Sequence, residues 1–498
     1  MSSPAPIDLS RYVSNLDKNV YTIYNLPEEV IAVIFAYVSR SPASFRENLA
    51  KLLADDDLAV DNAAGGIANA YSEKAAQFHE KWVVGYGHSS VAEHAIAHIG
   101  IEKISRLASA ELELANTFNS FTEYSQRYQR PQRGQIYTPV ELKKNQEASK
   151  LFHQLNEHAF DTYEKLLTKL IEYLHHNLPP HQGESKRRHQ LRIEKIAFED
   201  ARYVLTLATL TSLGMTGNGR ALRDTLVRLL SSRHHESRQL ALEMEREISK
   251  VIPTLLKHVK PSDYLLETRK EIANLRPNLP SEKGLALHHA TKPRARFIHL
   301  ADYRKVLDQA VIQLYISEHQ LTYQQASNYV NTLSLAEKEA LIDKSLKHLR
   351  FFDHPIDIFR HLTYQMEMHI SEANWHQLLR HNRGTAFTYG EPTVKLGYTI
   401  PPNIEKAGLT EIYTSFIDEA TEVFMQMSKI CPEAAPYCVT NAHHRQIFAS
   451  ASLWELYHLI NLRTSPEAQW DIAQIFTSLY EDLQKHHPAL ARYARRRQ

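Results

Sequence analysis

Apolar positions at helical spacing mark the beginning of the chain. Residues 26–52 predict a helix, a Ser/Pro turn and a second helix. Pro27 suits a first helical position, and Glu28 and Glu29 follow it where negative charge favours the helix N-terminus. Residues 73–84 predict a further amphipathic helix.

The apolar period changes after this helical region. Residues 95–101 alternate between apolar and polar, which predicts a half-buried strand, and from Glu102 the apolar spacing becomes helical. Two longer stretches, 137–177 and 186–244, carry apolar residues three and four apart and predict long helices. The pattern therefore predicts an α+β fold that is rich in helix.

Most prolines of the middle of the chain lie in residues 258–296, which predicts a linker with a boundary near residue 290. We expect a first domain over residues 1–258, a Pro-rich linker over 259–296 and a second domain over 297–498.

The sequence repeats itself on the two sides of this linker. His88 and Phe121 are as far apart as His354 and Phe387. Three further pairs match in the same order, namely 201–206 with 435–440, Tyr203 and Asn218 with Tyr437 and Ser452, and 229–239 with 459–469. Helical sequences share loose patterns by chance, but the equal spacings favour a tandem duplication.

Charge and cysteine content narrow the classes of function. Lys and Arg number 58 against 57 Asp and Glu, so no overall field favours nucleic acid or an acidic membrane. Cys431 and Cys438 are the only cysteines, which argues against a disulfide framework and predicts a reducing cytoplasm. We also expect no signal peptide and no membrane span, because neither apolar pattern is present.

The stretch 85–128 holds the first candidate chemistry. It opens with Gly85 and Gly87 beside a serine pair, and such a loop brings backbone N–H groups close to a phosphate or a flavin edge. It closes with Ser125, Arg127 and Tyr128, whose hydroxyl, guanidinium and phenol together suit a nucleotide. The same residue types also occur at ordinary solvated helix ends, so residue chemistry leaves both interpretations open.

This stretch resembles the signature region of the flavin-dependent thymidylate synthases. In that family a G-H-x-[ST] loop contacts the flavin, and His88 and Ser90 match it. A later R-H-R-x-x-S-x-N-x-x-S-x-R-Y motif binds dUMP and the flavin, and its second half is matched by Ser120, Ser125, Arg127 and Tyr128. Its first half departs from the family, because the R-H-R positions hold Ala115, Asn116 and Thr117.

Two segments further along resemble later motifs of the same family. Residues 199–205 and 211–220 imply that Arg202 contacts the nucleotide and that Asn218 and Arg220 contact the flavin. An ordinary glycine-rich turn is the alternative for the second segment.

The second half carries its own partial motifs. Residues 461–470 are similar to N-L-R-x-x-x-x-A-Q-W, which implies that Arg463 binds substrate phosphate or flavin and that Gln469 orients it. Residues 375–385 resemble the R-H-R segment with one residue extra. Anchoring on Phe387 and Thr388 selects His381, Asn382 and Arg383, whereas anchoring on Gln377 selects Arg380, His381 and Asn382.

The resemblance implies an activity and its cofactors. The family methylates dUMP at C5 with methylenetetrahydrofolate as carbon donor and FAD reduced by NADPH, without a protein nucleophile. The catalytic positions would be Arg383, Arg463 and His381, with the two arginines stabilising charge that develops on the pyrimidine. A flavoenzyme for another pyrimidine nucleotide and a catalytically silent flavin- or nucleotide-binding protein are the alternatives.

The family also implies an assembly, because its sites are built from several subunits of a homotetramer. We expect the chain to be a fused pseudo-dimer, and two chains to form a homodimer that acts as a pseudo-tetramer. One type of site would combine Arg127, Arg202 and Arg220 with Arg383 and Arg463, and the other type would be inactive.

A metal site is not expected. His94 and His98 are four residues apart, and on a strand that spacing separates them by about 13 Å, too far to share an ion. Nucleophile elbows and a Walker-type phosphate loop are absent from the sequence.

Overall fold

A computed structural model describes residues 8–37, 43–54, 90–275 and 288–497. The chain divides into two compact units, each discontinuous in sequence. Unit 1 comprises residues 1–124 and 210–279, and unit 2 comprises residues 125–209 and 280–498.

Helices dominate both units. Unit 1 contains α1 (Glu28–Tyr37), α2 (Phe45–Ala54), α3 (Arg106–Ala115), α6 (Gly219–Leu230), α7 (His235–Ile248) and α8 (Asp263–Asn274). Unit 2 contains α4 (Gln146–Asn177), α5 (Lys186–Ala201), α9 (Tyr303–His319), α10 (Tyr323–Val330), α11 (Leu335–Leu346), α12 (Glu372–Leu378), α13 (Pro402–Lys406), α14 (Thr410–Ile430), α15 (Leu453–Arg463), α16 (Trp470–His486) and α17 (Pro488–Ala491).

In the part of the chain that the structure describes, each unit holds one antiparallel sheet. In unit 1, β1 (Ile96–Ser105), β2 (Ser120–Glu123) and β3 (Leu210–Asn218) lie in the order β1-β3-β2. In unit 2, β4 (Arg294–Ile298), β5 (Thr363–Ser371), β6 (Thr385–Tyr389) and β7 (His444–Ser452) lie in the order β4-β5-β7-β6. The helix-rich α+β class is therefore confirmed.

The two sheets share one register, which identifies equivalent positions in the two halves. Asn218 and Ser452 each end the central strand and cap the following helix. Ser120 pairs with Thr216, and Ala386 pairs with Ser450, two residues before those caps. This register supports the anchor at Phe387 and Thr388, so that His381, Asn382 and Arg383 stand where the first repeat has Ala115, Asn116 and Thr117.

A bulge in β1 distinguishes the first repeat. The pairing of β1 with β3 shifts between Ile101 and Ile104, and Lys103 adopts a left-handed backbone with φ 57°. The pairing of β5 with β7 runs from Thr363 to Ser371 in one register. The bulge adds one residue to the first repeat.

The early helix predictions agree with the structure, since α1 lies within residues 26–52 and α2 begins there and ends at Ala54. The predicted helix over 73–84 lies outside the described residues. The strand predicted at 95–101 is present, but it continues to Ser105 instead of giving way to a helix at Glu102. The helix starts only at Arg106, where Ser105 caps it by accepting from Ala108 N at 3.0 Å.

Four longer-range predictions need correction. Residues 186–244 are not one helical stretch, because β3 separates α5 from α6, and the helix predicted over 137–177 starts at Gln146. The predicted linker contains helix α8 and the first residues of β4. The match of 229–239 with 459–469 is out of register, because Gln469 caps α16 whereas Gln239 lies inside α7.

The core of each unit lies between its sheet and its helices. In unit 1, Leu213 and Met215 of β3 belong to the same buried cluster as Leu222 and Leu226 of α6. In unit 2 the largest fully buried side chains include Trp375, Phe416 and Phe476. Among the described residues, no helix is both long and apolar enough to cross a membrane.

Unit 2 also contains a contact between equivalent segments of the two repeats. Thr206 and Thr440 occupy the same place in the repeat and form an antiparallel bridge. Around them, Leu207 N donates to Val439 O at 2.8 Å and Asn441 N donates to Leu205 O at 2.9 Å. Two matching stretches of chain therefore pair with each other.

Ser371 makes two hydrogen bonds at the start of α12, and replacing Ser371 tests how much they contribute to stability. Its Oγ accepts from Asn374 N at 3.0 Å and donates to Asp471 Oδ2 at 2.5 Å. We expect Ser371→Ala to lower the free energy of unfolding by about 2–3 kcal/mol, because it removes a helix cap and a donor to a buried carboxylate.

Urea denaturation measures this change, with Ser185→Ala as the matched control. Ser185 caps α5 by accepting from Arg188 N at 3.3 Å, and its loss should cost about 1 kcal/mol. Equal losses in the two variants would show that the bond to Asp471 adds nothing to the cap.

Candidate functional site

A cation cluster, defined as Arg127, Arg380, His381 and Arg463, lies in unit 2. His381 ends the 3₁₀ helix Leu379–His381, and Arg463 is the last residue of α15. Arg463 Nη2 donates to Gln377 O at 2.7 Å and to His381 Nε2 at 2.6 Å, and Arg463 Nε lies 3.2 Å from the same ring nitrogen. The predicted catalytic residues His381 and Arg463 are thus in direct contact.

Burial and like charges set the protonation of this cluster. Burial lowers the pKa of Arg463 to about 10, and the positive charges of Arg380 and Arg127 act in the same direction. Burial, with Arg463 next, holds the pKa of His381 well below its usual range. At neutral pH a neutral imidazole therefore accepts hydrogen bonds from a charged guanidinium, and the local charge favours an anionic ligand.

Ser125, Arg127 and Tyr128 lie on one turn. Ser125 Oγ accepts from Arg127 N at 3.3 Å, and Arg127 Nη2 forms an ion pair with Glu199 Oε1 at 2.6 Å. Tyr128 is 56% exposed, with the Arg127 guanidinium 5.6 Å and Lys195 Nζ 5.4 Å from its ring centre. This turn presents an aromatic ring between cations, a combination suited to a base or a phosphate.

Gln469 and Arg202, predicted to contact substrate, are enclosed in unit 2. Gln469 is 1% exposed, donates to the Tyr203 hydroxyl at 3.2 Å and accepts from Gln377 Nε2 at 3.3 Å. Arg202 is 5% exposed, and its carbonyl accepts from Asn441 Nδ2 at 2.9 Å. Both side chains thus take part in the interior, whereas Arg383 is exposed.

Asp471 is at the centre of that interior network. Its carboxylate accepts from the Tyr203 hydroxyl at 2.7 Å, from Ser371 Oγ at 2.5 Å and from Asn374 Nδ2 at 3.2 Å. Burial raises its pKa, and these hydrogen bonds oppose that shift. The network joins the start of α12, the start of α16 and residue 203.

A second buried carboxylate lies beside it. Asp200 accepts from Trp470 Nε1 and from Asn403 Nδ2, each at 2.7 Å. Burial raises the pKa of Asp200 to about 7 in spite of these bonds.

The predicted cofactor residues Ser90, Asn218 and Arg220 lie at one edge of unit 1. Ser90 precedes the 3₁₀ helix Val91–His94, and Asn218 caps α6 by accepting from Ala221 N at 2.9 Å. A Cβ at Gly219 would lie 2.9 Å from Ala92 O, so glycine permits this 3₁₀ helix to approach α6. His88 lies outside the described residues.

The edge suits the anionic part of a flavin dinucleotide. Arg220 Nη1 pairs with Glu93 Oε1 at 2.6 Å, and the Arg220 side chain remains 50% exposed. A guanidinium has five N–H donors, so this pairing leaves donors for phosphate oxygens. The equivalent edge of the second repeat is filled, because Trp454, in the place of Arg220, stacks on His354 at 4.3 Å and under Arg360 at 3.8 Å.

Sequence reasoning missed Glu455, His458 and the ion pair of Arg127 with Glu199. Glu455 and His458 are three residues apart on α15, a spacing that puts both on one face and offered a signal. His381 Nδ1 lies 3.9 Å from Glu455 Oε1. His94 and His98 do not lie on one strand as expected, because His94 lies in the 3₁₀ helix before β1, so the separation predicted for a strand does not apply to them.

The repeated sheet, with matching strand register in its two copies, defines a protein built from two related halves. The family model described as thymidylate synthase complementing protein matches residues 23–254 and again residues 299–489. The chain belongs to this family. The family resemblance and the organisation in two repeated segments, both predicted from the sequence, are confirmed.

Relatives fall into two groups. A UPF0159 protein of Chlamydia muridarum is 25% identical over 97% of this chain and 92% of its own length. The UPF0159 protein Ta1429 of Thermoplasma acidophilum is 23% identical over 84% of this chain and 88% of its own length. A flavin-dependent thymidylate synthase of Clostridium tetani is 30% identical over 36% of this chain and 69% of its own length.

One solved structure shows a weak likeness. A UMP/dUMP methylase from Streptomyces cacaoi, bound with 5-Br dUMP, matches with a TM-score of 0.33 and 14% identity over 41% of this chain and 94% of that chain.

The high pKa of Asp200 makes stability depend on pH. The folded pKa of about 7 lies above the ordinary value of 3.8. The contribution of Asp200 to the stability of the fold is therefore complete below pH 3.8 and is lost as the pH rises through 7. The side chain of Asp200→Asn is neutral at every pH, so this variant should not lose stability in this way. The loss in wild type amounts to about 1.4 kcal/mol per pKa unit.

The measurement is urea denaturation of both proteins from about pH 4 to about pH 8, a range that spans the interval between the two pKa values. Wild type should lose stability relative to Asp200→Asn as pH rises. The exposed Asp263 supplies the control, Asp263→Asn, whose difference from wild type should stay constant. A constant difference for Asp200→Asn as well would contradict the raised pKa.

Proposed function

We propose that this chain is a flavin-dependent thymidylate synthase that converts dUMP to dTMP with methylenetetrahydrofolate and NADPH. The observation that carries the proposal is the cation cluster. Arg127 comes from the first repeat and Arg380 and Arg463 come from the second, yet the charges of Arg127 and Arg380 act on Arg463 within unit 2. Arg463 also donates to the neutral His381 of the second repeat. Family membership and the relatives named flavin-dependent thymidylate synthase support the same reaction class.

In this proposal the cations hold and polarise the nucleotide. Arg463 and Arg127 bind anionic oxygens of the phosphate or of the pyrimidine, and neutral His381 keeps the Arg463 guanidinium in place by accepting its N–H groups. Ser125 and Tyr128 contribute a hydroxyl and a ring face on the turn that carries Arg127. Such preorganised charges stabilise an anionic transition state without a protein nucleophile.

FAD would bind at the edge of unit 1 through Ser90, Asn218 and Arg220, and it would supply the reducing equivalents taken from NADPH. The exposed guanidinium of Arg220 suits its phosphates. The stacking of Trp454 between His354 and Arg360 supports one working and one inactive type of cofactor position per chain.

The proposal includes an assembly. The pairing of Thr206 with Thr440 supports a fused pseudo-dimer, in which equivalent segments of the two repeats contact each other. Two chains would then form a pseudo-tetramer in a cytoplasmic homodimer. A strictly monomeric chain in sedimentation experiments would count against this assembly.

A second candidate is a flavoenzyme acting on another pyrimidine nucleotide. Ala115 and Thr117 replace the arginines of the first repeat, and the side chains of Arg202 and Gln469 are enclosed. These differences favour a changed nucleotide preference. Comparing dUMP with UMP and dCMP as substrates separates the two candidates, and a chain that binds flavin without turnover would support the silent alternative.

Flavin retention tests the cofactor edge. We expect purified wild type to show a flavin absorption band that NADPH bleaches and that dUMP with methylenetetrahydrofolate restores. Arg220→Ala should lose most of this band, because it removes the half-exposed guanidinium at the edge. Arg223→Ala, at an equally exposed position on the same helix, is the control and should retain it. Equal flavin content in both variants would remove Arg220 from the site.

Nucleotide affinity tests the cation cluster. Arg463→Ala should weaken dUMP binding roughly 10- to 100-fold, because a charged hydrogen bond contributes about 1.5–3 kcal/mol. Isothermal titration measures the dissociation constant. Arg296→Ala, which removes an exposed arginine paired with Glu367, should leave it unchanged. A wild-type dissociation constant for Arg463→Ala would exclude the cluster as the nucleotide site.

A further inference from the structure

Three ligand-type side chains come together in the second repeat. Glu455 and His458 lie on one face of α15, and His381 ends the 3₁₀ helix that faces them. One potential ligand atom from each of the three side chains lies within 4.8 Å of the other two. This grouping, the triad of His381, Glu455 and His458, has no use in the proposed reaction beyond the contact of His381 with Arg463.

The triad is specific to the second repeat. By the shared strand register, the first repeat has Ala115 in place of His381, Ala221 in place of Glu455 and Asp224 in place of His458. Two alanines and an aspartate cannot form the same donor set. The second repeat has therefore acquired two imidazoles and a carboxylate close to the edge where Trp454 replaces the flavin-type arginine.

Glu455 contributes a buried carboxylate to the triad. Its side chain is 8% exposed, and within the described parts of the chain no group donates a hydrogen bond to its carboxylate. The nearest ring nitrogen, His381 Nδ1, is beyond hydrogen-bond distance at 3.9 Å. A Cβ at Gly384 would collide with this carboxylate, so the absence of a side chain there makes room for it. A buried carboxylate is costly unless a cation or a donor compensates it.

We propose that His381, Glu455 and His458 bind a transition-metal dication such as Zn²⁺. Two imidazole nitrogens and one carboxylate oxygen are a donor set that Zn²⁺ and its neighbours in the first transition row prefer. Ligand distances of about 2.0–2.2 Å require the three side chains to close slightly around the ion. Three protein ligands leave a coordination position for water or another small ligand.

Arg463 competes with the metal for His381. Arg463 donates to Nε2 of His381. The other ring nitrogen of His381, Nδ1, is the one that lies near Glu455. A metal ion on Nδ1 moves the ring proton to Nε2, and the guanidinium must then leave that nitrogen. Gln377 O remains as its acceptor. Metal binding and the bond between Arg463 and His381 therefore exclude each other.

The test uses the full chain after removal of metal with a chelator, titrated with Co²⁺ and then with Zn²⁺ in competition. Wild type should bind one ion per chain, with visible Co²⁺ absorption of a low-coordinate site. Glu455→Gln and His458→Ala should each weaken binding roughly tenfold or more, because each loses a ligand. His348→Ala, at an exposed position, should bind as wild type does.

Two further results complete the test. Arg463→Met removes the competing donor and should tighten metal binding, and an unchanged or weaker affinity would overturn the competition. X-ray absorption of the wild-type zinc complex should show two imidazole ligands, a result that does not depend on whether a variant folds. Failure of wild type to bind metal, or equal binding in Glu455→Gln and His458→Ala, would overturn the site. No flavin or nucleotide is present, so failure here leaves the proposed reaction untouched.

Discussion

The buried carboxylate of Asp471 is the constraint on which the candidate site of unit 2 depends. It lies in the first turn of α16 and binds Tyr203, Ser371 and Asn374, which belong to separate segments of the chain. A charge in the interior is tolerated only when donors surround it, so each of these segments is held to a defined position. Gln469 continues the same network to Gln377, whose carbonyl accepts from Arg463. The interior network thus reaches the cation cluster through two glutamines, Gln469 and Gln377.

The repeats keep the scaffold and change the chemistry placed on it. Ser105 and Ser371 cap equivalent helices, and each donates to a buried acidic side chain, Glu236 in the first repeat and Asp471 in the second. Asn218 and Ser452 cap the next pair of helices. Around these shared caps, the candidate functional positions hold different residue types in the two repeats. Capping and burial therefore set the fold that the two repeats share.

Sequence reasoning succeeded where a local pattern decides the structure. The spacing over 26–52 gave α1 and α2, and the matched separation of Tyr203 from Asn218 and Tyr437 from Ser452 gave the repeat. β3 was missed because its glycines and threonines lie between two helices and read as a glycine-rich turn. His381 and Arg463 were both predicted as catalytic residues, but their hydrogen bond depends on where the 3₁₀ helix Leu379–His381 lies against the end of α15, which no motif reports.

Other features could not be read from the chain. A glutamine that caps a helix and a glutamine that orients a substrate look alike in sequence, so Gln469 was assigned to substrate. The spacing of Glu455 and His458 on α15 offered a signal in the sequence, but only the structure shows that the Glu455 side chain is buried. Contacts between residues far apart in the chain decide these distinctions.

The bridge between Thr206 and Thr440 has a consequence for how such a chain changes over time. In an assembly of identical subunits, a substitution at the contact between equivalent segments appears on both sides at once and must suit its own copy. Here the two sides are encoded separately, so either threonine is free to change while the other stays. Neighbouring positions already differ between the two repeats. Arg202 occupies the same place in the repeat as Pro436, and Val204 occupies the same place as Cys438. Fusion of two copies into one chain turns a symmetric constraint into two independent ones.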